Sequence, residues 1–159
     1  MGGEVAEERA EGEIRRIEKE GACLMKFVVD ANVLFSFFWK DSFTKRLLVG
    51  KYFELCSPEF SLEEIEKYKD EIMRKAKIGL EEFDKLRREL ILYVEFFPLN
   101  DYGKFLKRAV KISPDEDDVD YFALALKLNI GIWTNDKLLR GQGIVEVLNT
   151  MEILDLINH

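Results

Sequence analysis

Five short β-rich runs alternating with helix-length segments predict an α/β fold: a three-layer α/β/α sandwich around a parallel sheet. Two observations carry this expectation. Strands separated by helical stretches are joined by crossovers, which are right-handed and leave the strands parallel. Runs such as Phe27-Val28-Val29 also lack polar alternation, as they must when helices cover both faces of a sheet. At 159 residues, 47% hydrophobic and 35% charged, the chain suits one globular domain with a buried core.

Residues 1–22 are rich in Glu, Arg and Gly and read as an N-terminal extension, helical or poorly ordered. Glu13 to Glu20 has the spacing of a solvated helix. The domain proper is expected over 23–159, with strands near Lys26–Val29, Tyr52–Cys56, Leu92–Phe97, Ile130–Thr134 and Ile144–Leu148. Helices are expected between them, near Asp41–Val49, Pro58–Lys77, Leu80–Leu90, Tyr102–Val110 and Pro114–Leu128. Phe35, Phe37, Phe38 and Trp39 fall in a stretch read as loop. Four aromatics in one loop suggest an exposed apolar surface and therefore a homodimer.

Charge and rare residues narrow the chemistry. The formal net charge of −7 argues against a nucleic-acid partner, unless bound cations offset a cluster of carboxylates. Basic stretches remain at Lys67, Lys69, Arg74, Lys75 and Lys77, and at Lys104, Lys107, Arg108 and Lys111, each as readily a solvated helix face as a phosphate contact. Cys23 and Cys56 form no C-x-x-C pair, so neither zinc nor a redox motif is indicated. The one histidine, His159, is the last residue, which disfavours histidine acid–base catalysis and a histidine-ligated zinc site. No signal peptide or membrane-length apolar run is present, so a cytoplasmic location is expected. Many Glu and Lys beside a single glutamine, Gln142, fit a heat-adapted source.

Against this background four acids stand out. Asp30 ends the first apolar strand, and Asp136 follows Ile132-Trp133-Thr134-Asn135. Each has a bland reading as a turn or cap residue. Ligands of open parallel sheets, however, bind beyond the carboxyl ends of strands, where these two would converge. Glu64 has a capping-box reading with Ser61, but a helix starting at Ser57-Pro58 makes it interior, on the stripe with Phe60, Ile65 and Tyr68. Glu63 is the alternative. In Ser113-Pro114-Asp115-Glu116-Asp117-Asp118-Val119-Asp120, early acids suit a helical first turn. Asp118 instead shares the inward stripe of Tyr121, Phe122 and Ala125. Asp117 either binds a second ion or is a bystander; Asp115, Glu116 and Asp120 read as solvated. Asn32 is expected to steady Asp30, and Thr134 or Asn135 to orient Asp136 or a water. Oxygen ligands of this kind suit Mg²⁺ or Mn²⁺.

These residues resemble the PIN-domain ribonuclease family, of the VapC-like or archaeal type, over about Met25 to Ile157. The carriers are Phe27-Val28-Val29-Asp30-Ala31-Asn32-Val33-Leu34, Leu62-Glu63-Glu64-Ile65, Asp117 through Leu126, and Ile132-Trp133-Thr134-Asn135-Asp136. The resemblance implies a five-stranded parallel sheet and an acidic pocket binding Mg²⁺ or Mn²⁺. Its activity would be that of an endoribonuclease on single-stranded or structured RNA. The family's acidic quartet falls on Asp30, Glu64, Asp118 and Asp136, with polar neighbours at Asn32 and Thr134. The doubled Asp117-Asp118 leaves the third position open by one residue. The resemblance also implies homodimers and, for members that are toxins of toxin–antitoxin pairs, an antitoxin or other regulatory protein. RNA-processing nucleases share the pattern, and a non-catalytic RNA-binding or assembly module is the competing class. A haloacid-dehalogenase-like phosphatase needs a second Asp where this chain has Asn32. A receiver domain needs an acidic pair and a later lysine that the chain does not convincingly supply.

Overall fold

The computed structural model describes residues 24–40 and 42–158. The N-terminal extension, Cys23 and His159 lie outside the described residues. Strands β1 (Lys26–Val29), β2 (Glu54–Pro58), β3 (Val94–Phe97), β4 (Gly131–Trp133) and β5 (Val147–Leu148) form one sheet in the order β3-β2-β1-β4-β5. Every pairing is parallel. The chain therefore builds outward from β1 in one direction, then returns to its other side. The β1/β4 boundary is where strand order reverses, and the crevice opens there, at the carboxyl ends.

Two apolar cores flank the sheet, and β1 supplies both. Phe27 and Val29 join one cluster and Val28 the other, as side chains alternating along a strand must. The first cluster is covered by α1 (Ala31–Phe35), α2 (Phe43–Val49), α3 (Phe60–Lys67), α4 (Lys69–Ala76) and α5 (Leu80–Leu90), which contribute among others Leu34, Leu48, Ile65, Ile72 and Phe83. Helix α9 (Thr150–Asn158) joins them through Ile153. The second is dominated by α8 (Val119–Leu128), buried from Tyr121 through Ala125, with α6 (Leu99–Tyr102) and α7 (Leu106–Ile112) outside it. A helix apolar on nearly every side requires this central place. It ends where Asn129 takes a left-handed conformation, φ 55°, which asparagine tolerates better than most residues.

Several boundaries move, each for a physical reason. The segment after β1 is not a loop: Asp30 caps α1, which runs on into a 3-10 turn at Ser36–Phe38. Phe37 and Phe38 are each 1% exposed, Phe38 stacked on Phe83 at 4.9 Å, while Phe35 and Trp39 are half-buried against the same core. Phe37 and Phe38 are core and Phe35 and Trp39 pack half-covered against it, so the stretch no longer argues for a dimer. Ser57 does not cap a helix either. It lies within β2, its hydroxyl 2.8 Å from the Val29 carbonyl and 2.9 Å from Ser61, which donates to the Pro58 carbonyl. That leaves no capping box, and α3 starts at Phe60. The long helix expected over Pro58–Lys77 breaks at Tyr68 into α3 and α4. Beyond Leu148, α9 completes the first layer, where the sequence reading placed no element.

Candidate active site

A cleft of about 480 Å³ opens at the β1/β4 boundary, and Asp30, Glu64, Asp118 and Asp136 all line it. Register explains the first contact. Val29 pairs with Trp133, so one step further sets Asp30 beside Thr134. The Thr134 hydroxyl donates to Asp30 Oδ2, and the Val33 amide donates to Oδ1 at 2.9 Å. Asp30 is 4% exposed. Burial lifts its carboxyl from the ordinary 3.8 to about 6; those two hydrogen bonds oppose the rise, and nearby Asp136 adds to it.

Asp118 stands at the N-cap of α8, half-buried, with no hydrogen bond from its side chain into the helix. Its carboxyl is pushed from 3.8 to about 7, first by burial and then by Asp115, Asp30, Asp136 and Asp117. Crowding of like charge is therefore a property of the site. Asp136 is exposed; its amide donates to Thr134 Oγ1 at 3.0 Å, and its carboxylate caps the 3-10 turn Lys137–Arg140 through the Leu138 amide. Glu64 projects half-buried from α3, its neighbour Glu63 being exposed and absent from the cleft.

The secondary positions sort differently from expectation. Thr134 contacts both strand-end acids, orienting Asp30's carboxylate and Asp136's backbone. Asn32 is exposed at the rim and makes no hydrogen bond to Asp30; Thr134 and Val33 do that work. Asn135 accepts from the Thr150 amide at 2.9 Å, and so ties the loop to α9 instead of facing the cleft. Asp117 lies exposed on the cleft wall. Asp115, read as solvated, is half-buried in that wall and accepts from the Asp117 amide. Asp120 is not solvated either, because Tyr102 donates to it at 2.5 Å.

Tyr121 is the residue that sequence reasoning missed. It lines the cleft at 2% exposure, and its hydroxyl is buried without a hydrogen-bond partner among the described residues. The Ala31 amide lies near enough to influence it but outside hydrogen-bond geometry. Burial, with Asp30, Glu64 and Asp118 around it, keeps the phenol firmly protonated. At helical spacing a tyrosine among Phe122 and Ala125 reads as core, so only its polar tip distinguishes it.

An all-oxygen donor set, two carboxyls raised by burial and neighbouring charge, and an orphaned hydroxyl fit a hard divalent cation. Among the described residues no three acids are gathered into a formed metal cage. Mg²⁺ is compatible with that looseness, since it keeps several waters and takes one or two carboxylates plus substrate phosphates.

The sequence profile of the PIN domain matches residues 28–155. The chain belongs to the PIN-domain family. Proteins of this family are generally nucleases that use divalent metals. The solved structure of VapBC2 from Rickettsia felis, bound to a DNA fragment from its promoter, contains a chain of the same fold. The TM-score is 0.56 at 14% identity, over 79% of this PIN domain protein and 98% of that chain. No curated protein matches the sequence. Among the described residues no helix is long and apolar enough to cross a membrane.

Proposed function

We propose that this PIN domain protein is a Mg²⁺- or Mn²⁺-dependent endoribonuclease hydrolysing phosphodiester bonds at Asp30, Glu64, Asp118 and Asp136. The observation that carries the reading is the meeting of these four acids in one cleft at the strand-order reversal. Asp30 and Asp118 there are held at raised pKa values, by burial first and by neighbouring carboxylates second. Family membership supports hydrolysis of nucleic acid, and the resemblance of the motifs supports RNA. Asp30, Glu64, Asp118 and Asp136 would hold the cation, which would supply Lewis acidity toward water and the scissile phosphate.

The chain's own residues do the rest. Thr134 and the Val33 amide hold Asp30's carboxylate in one orientation. Asp118 and Glu64, without such bonds, supply negative charge from the helical side. Asp117 belongs to the same acidic wall, as a candidate ligand of a second ion. A homodimer and an antitoxin-like regulatory protein are part of the proposal; the resemblance of the motifs supports the first, and likeness to a chain of the VapBC2 complex supports the second.

The test is cleavage of a labelled RNA by the purified chain with Mn²⁺, with Mg²⁺ and with chelator. Cleavage that depends on the metal and is lost in Asp118→Asn is the expected result. Equal cleavage in chelator rejects the metal dependence; none with either metal rejects the nuclease reading and points to a binding or assembly module.

A further inference from the structure

The cleft has a second wall that, apart from Glu64, the carboxylate chemistry does not use. One face of α3 and α4 presents Phe60, Glu64, Lys67, Tyr68, Glu71 and Lys75 to it. These recur at three- and four-residue intervals, so a single face continues through the break at Tyr68. From Glu64 to Lys75 the track runs roughly 16 Å at the helical rise. Trp39 and Phe35, from the segment after β1, close its other side.

We propose that this aromatic wall is a nucleobase subsite: one unstacked base of the bound strand lies against Tyr68 and Trp39, while Lys67 and Lys75 hold the flanking phosphates. The inference rests on the ribonuclease reading and adds residues to it. Tyr68 keeps 37% exposure although Phe35 packs against it in a T-shaped contact at 5.9 Å, so the side chain is supported without being covered. Trp39 is half-buried at the same cavity. The Lys67 ammonium lies 5.4 Å from the Tyr68 ring centre and has no carboxylate partner among the described residues. Lys75 is paired with Glu71 at 2.8 Å, an exposed pair that a phosphate can exchange into. Aromatic faces beside cations are how single strands are held without sequence readout. The wall runs without interruption into the carboxylate crevice, and this favours a nucleic acid over a peptide as its occupant.

Tryptophan emission gives a readout independent of cleavage. Trp133 is 0% exposed with its indole N–H bonded to Thr150, which leaves Trp39 as the reporter among the two tryptophans. An RNA hexamer is titrated into the full chain in chelator, and into Asp118→Asn in Mg²⁺, two backgrounds expected not to cleave. The same length of abasic ribose-phosphate is the comparison. The expected result is saturable quenching by the hexamer, with abasic affinity lower on the order of 10-fold. Tyr68→Ala should lower hexamer affinity by a similar factor, and Tyr68→Phe should restore it. Equal binding of hexamer and abasic chain, no loss in Tyr68→Ala, or no binding in either background overturns the proposal. Quenching by the hexamer without metal-dependent cleavage in the wild type would instead retain the subsite and reject the nuclease.

Discussion

The two sides of the acidic cleft are prepared to different degrees. On the strand side, Asp30 receives two hydrogen bonds and Asp136 is anchored at both its amide and its carboxylate. On the helical side, among the described residues, the side chains of Glu64 and Asp118 receive none, and the Tyr121 hydroxyl has no hydrogen-bond partner. The strand side is organised by the fold alone. The helical side holds two half-buried carboxylates and one buried hydroxyl that the fold leaves unpartnered, and an unsatisfied buried group of that kind is costly to keep. A cation and its waters would complete the helical side, so the two should respond differently to mutation and to metal.

The largest expected effect lies on the incomplete side. Asp118→Asn should lower RNA cleavage by more than the roughly 10–100-fold typical of disturbing an outer partner of a metal ligand. Asp117→Asn should cost only a few-fold, about the effect of one exposed charge. Parallel assays of both variants decide the register, and the reverse ranking would place the ligand at Asp117. Next comes Thr134→Val on the organised side. It removes a donor to Asp30 and the acceptor of the Asp136 amide, and should reduce Mn²⁺ affinity by about 10–100-fold in calorimetry. An unchanged affinity would mean that the strand side is not preorganised by this hydroxyl.

The pH dependence of the metal-free protein sharpens the contrast. Asp30 near 6 and Asp118 near 7 both titrate above the ordinary 3.8, so between those values the folded chain keeps protons that the unfolded chain has released. Their contribution to stability is complete below about 3.8 and is lost as pH rises through 6 and 7. Thermal melts in chelator should therefore show a lower Tm at pH 8 than at pH 5, after correction for the remaining groups by the variants. Asp118→Asn should flatten part of that slope, and added Mg²⁺ should reverse it at pH 8.

A smaller change is expected from Tyr121→Phe. Removing an unpartnered buried hydroxyl should leave the metal-free chain as stable, or more stable by about 1 kcal/mol. If the hydroxyl finds its partner when the site is filled, the stabilisation by saturating Mn²⁺ should fall in the same variant. A metal-free loss above about 2 kcal/mol would show that the hydroxyl is already satisfied. The smallest effect belongs to Asp120→Asn, whose carboxylate faces Tyr102 and not the cleft. Cleavage should stay near wild type, with stability lowered by about 1 kcal/mol in chemical denaturation.

The quality of the sequence reading followed the kind of signal available. The first strand and the helix Leu80–Leu90 were legible to the residue, because an unbroken apolar run and a 3.6-residue stripe each have one reading. The stretch Ala31–Phe38 was not. It is too short and too apolar to show helical period, and its helix is started by Asp30, the same carboxylate that local reasoning wanted for a ligand. Ser57-Pro58 misled for a related reason: Ser-Pro starts helices, but Ser57 here spends its hydroxyl on neighbouring Val29 and Ser61. Asn135 carried a plausible local role beside Asp136, yet α9, invisible to the same reasoning, takes its side chain.

What the sequence by itself determined is the alternation of strands with most of the helices, the inward face of those helices, and therefore which acids stand at strand ends and on buried stripes. Hydrophobic period is a local property, and it needs no knowledge of the partner surface. Tertiary structure alone decided which polar groups meet. The β1–β4 register brings Thr134, 104 residues away in the chain, onto Asp30, and the packing of α8 against β1 strands the Tyr121 hydroxyl among three acids. Hydrogen bonds and charge act over a few ångströms of space, whatever the distance along the chain, so their pairing is read only once the sheet has closed.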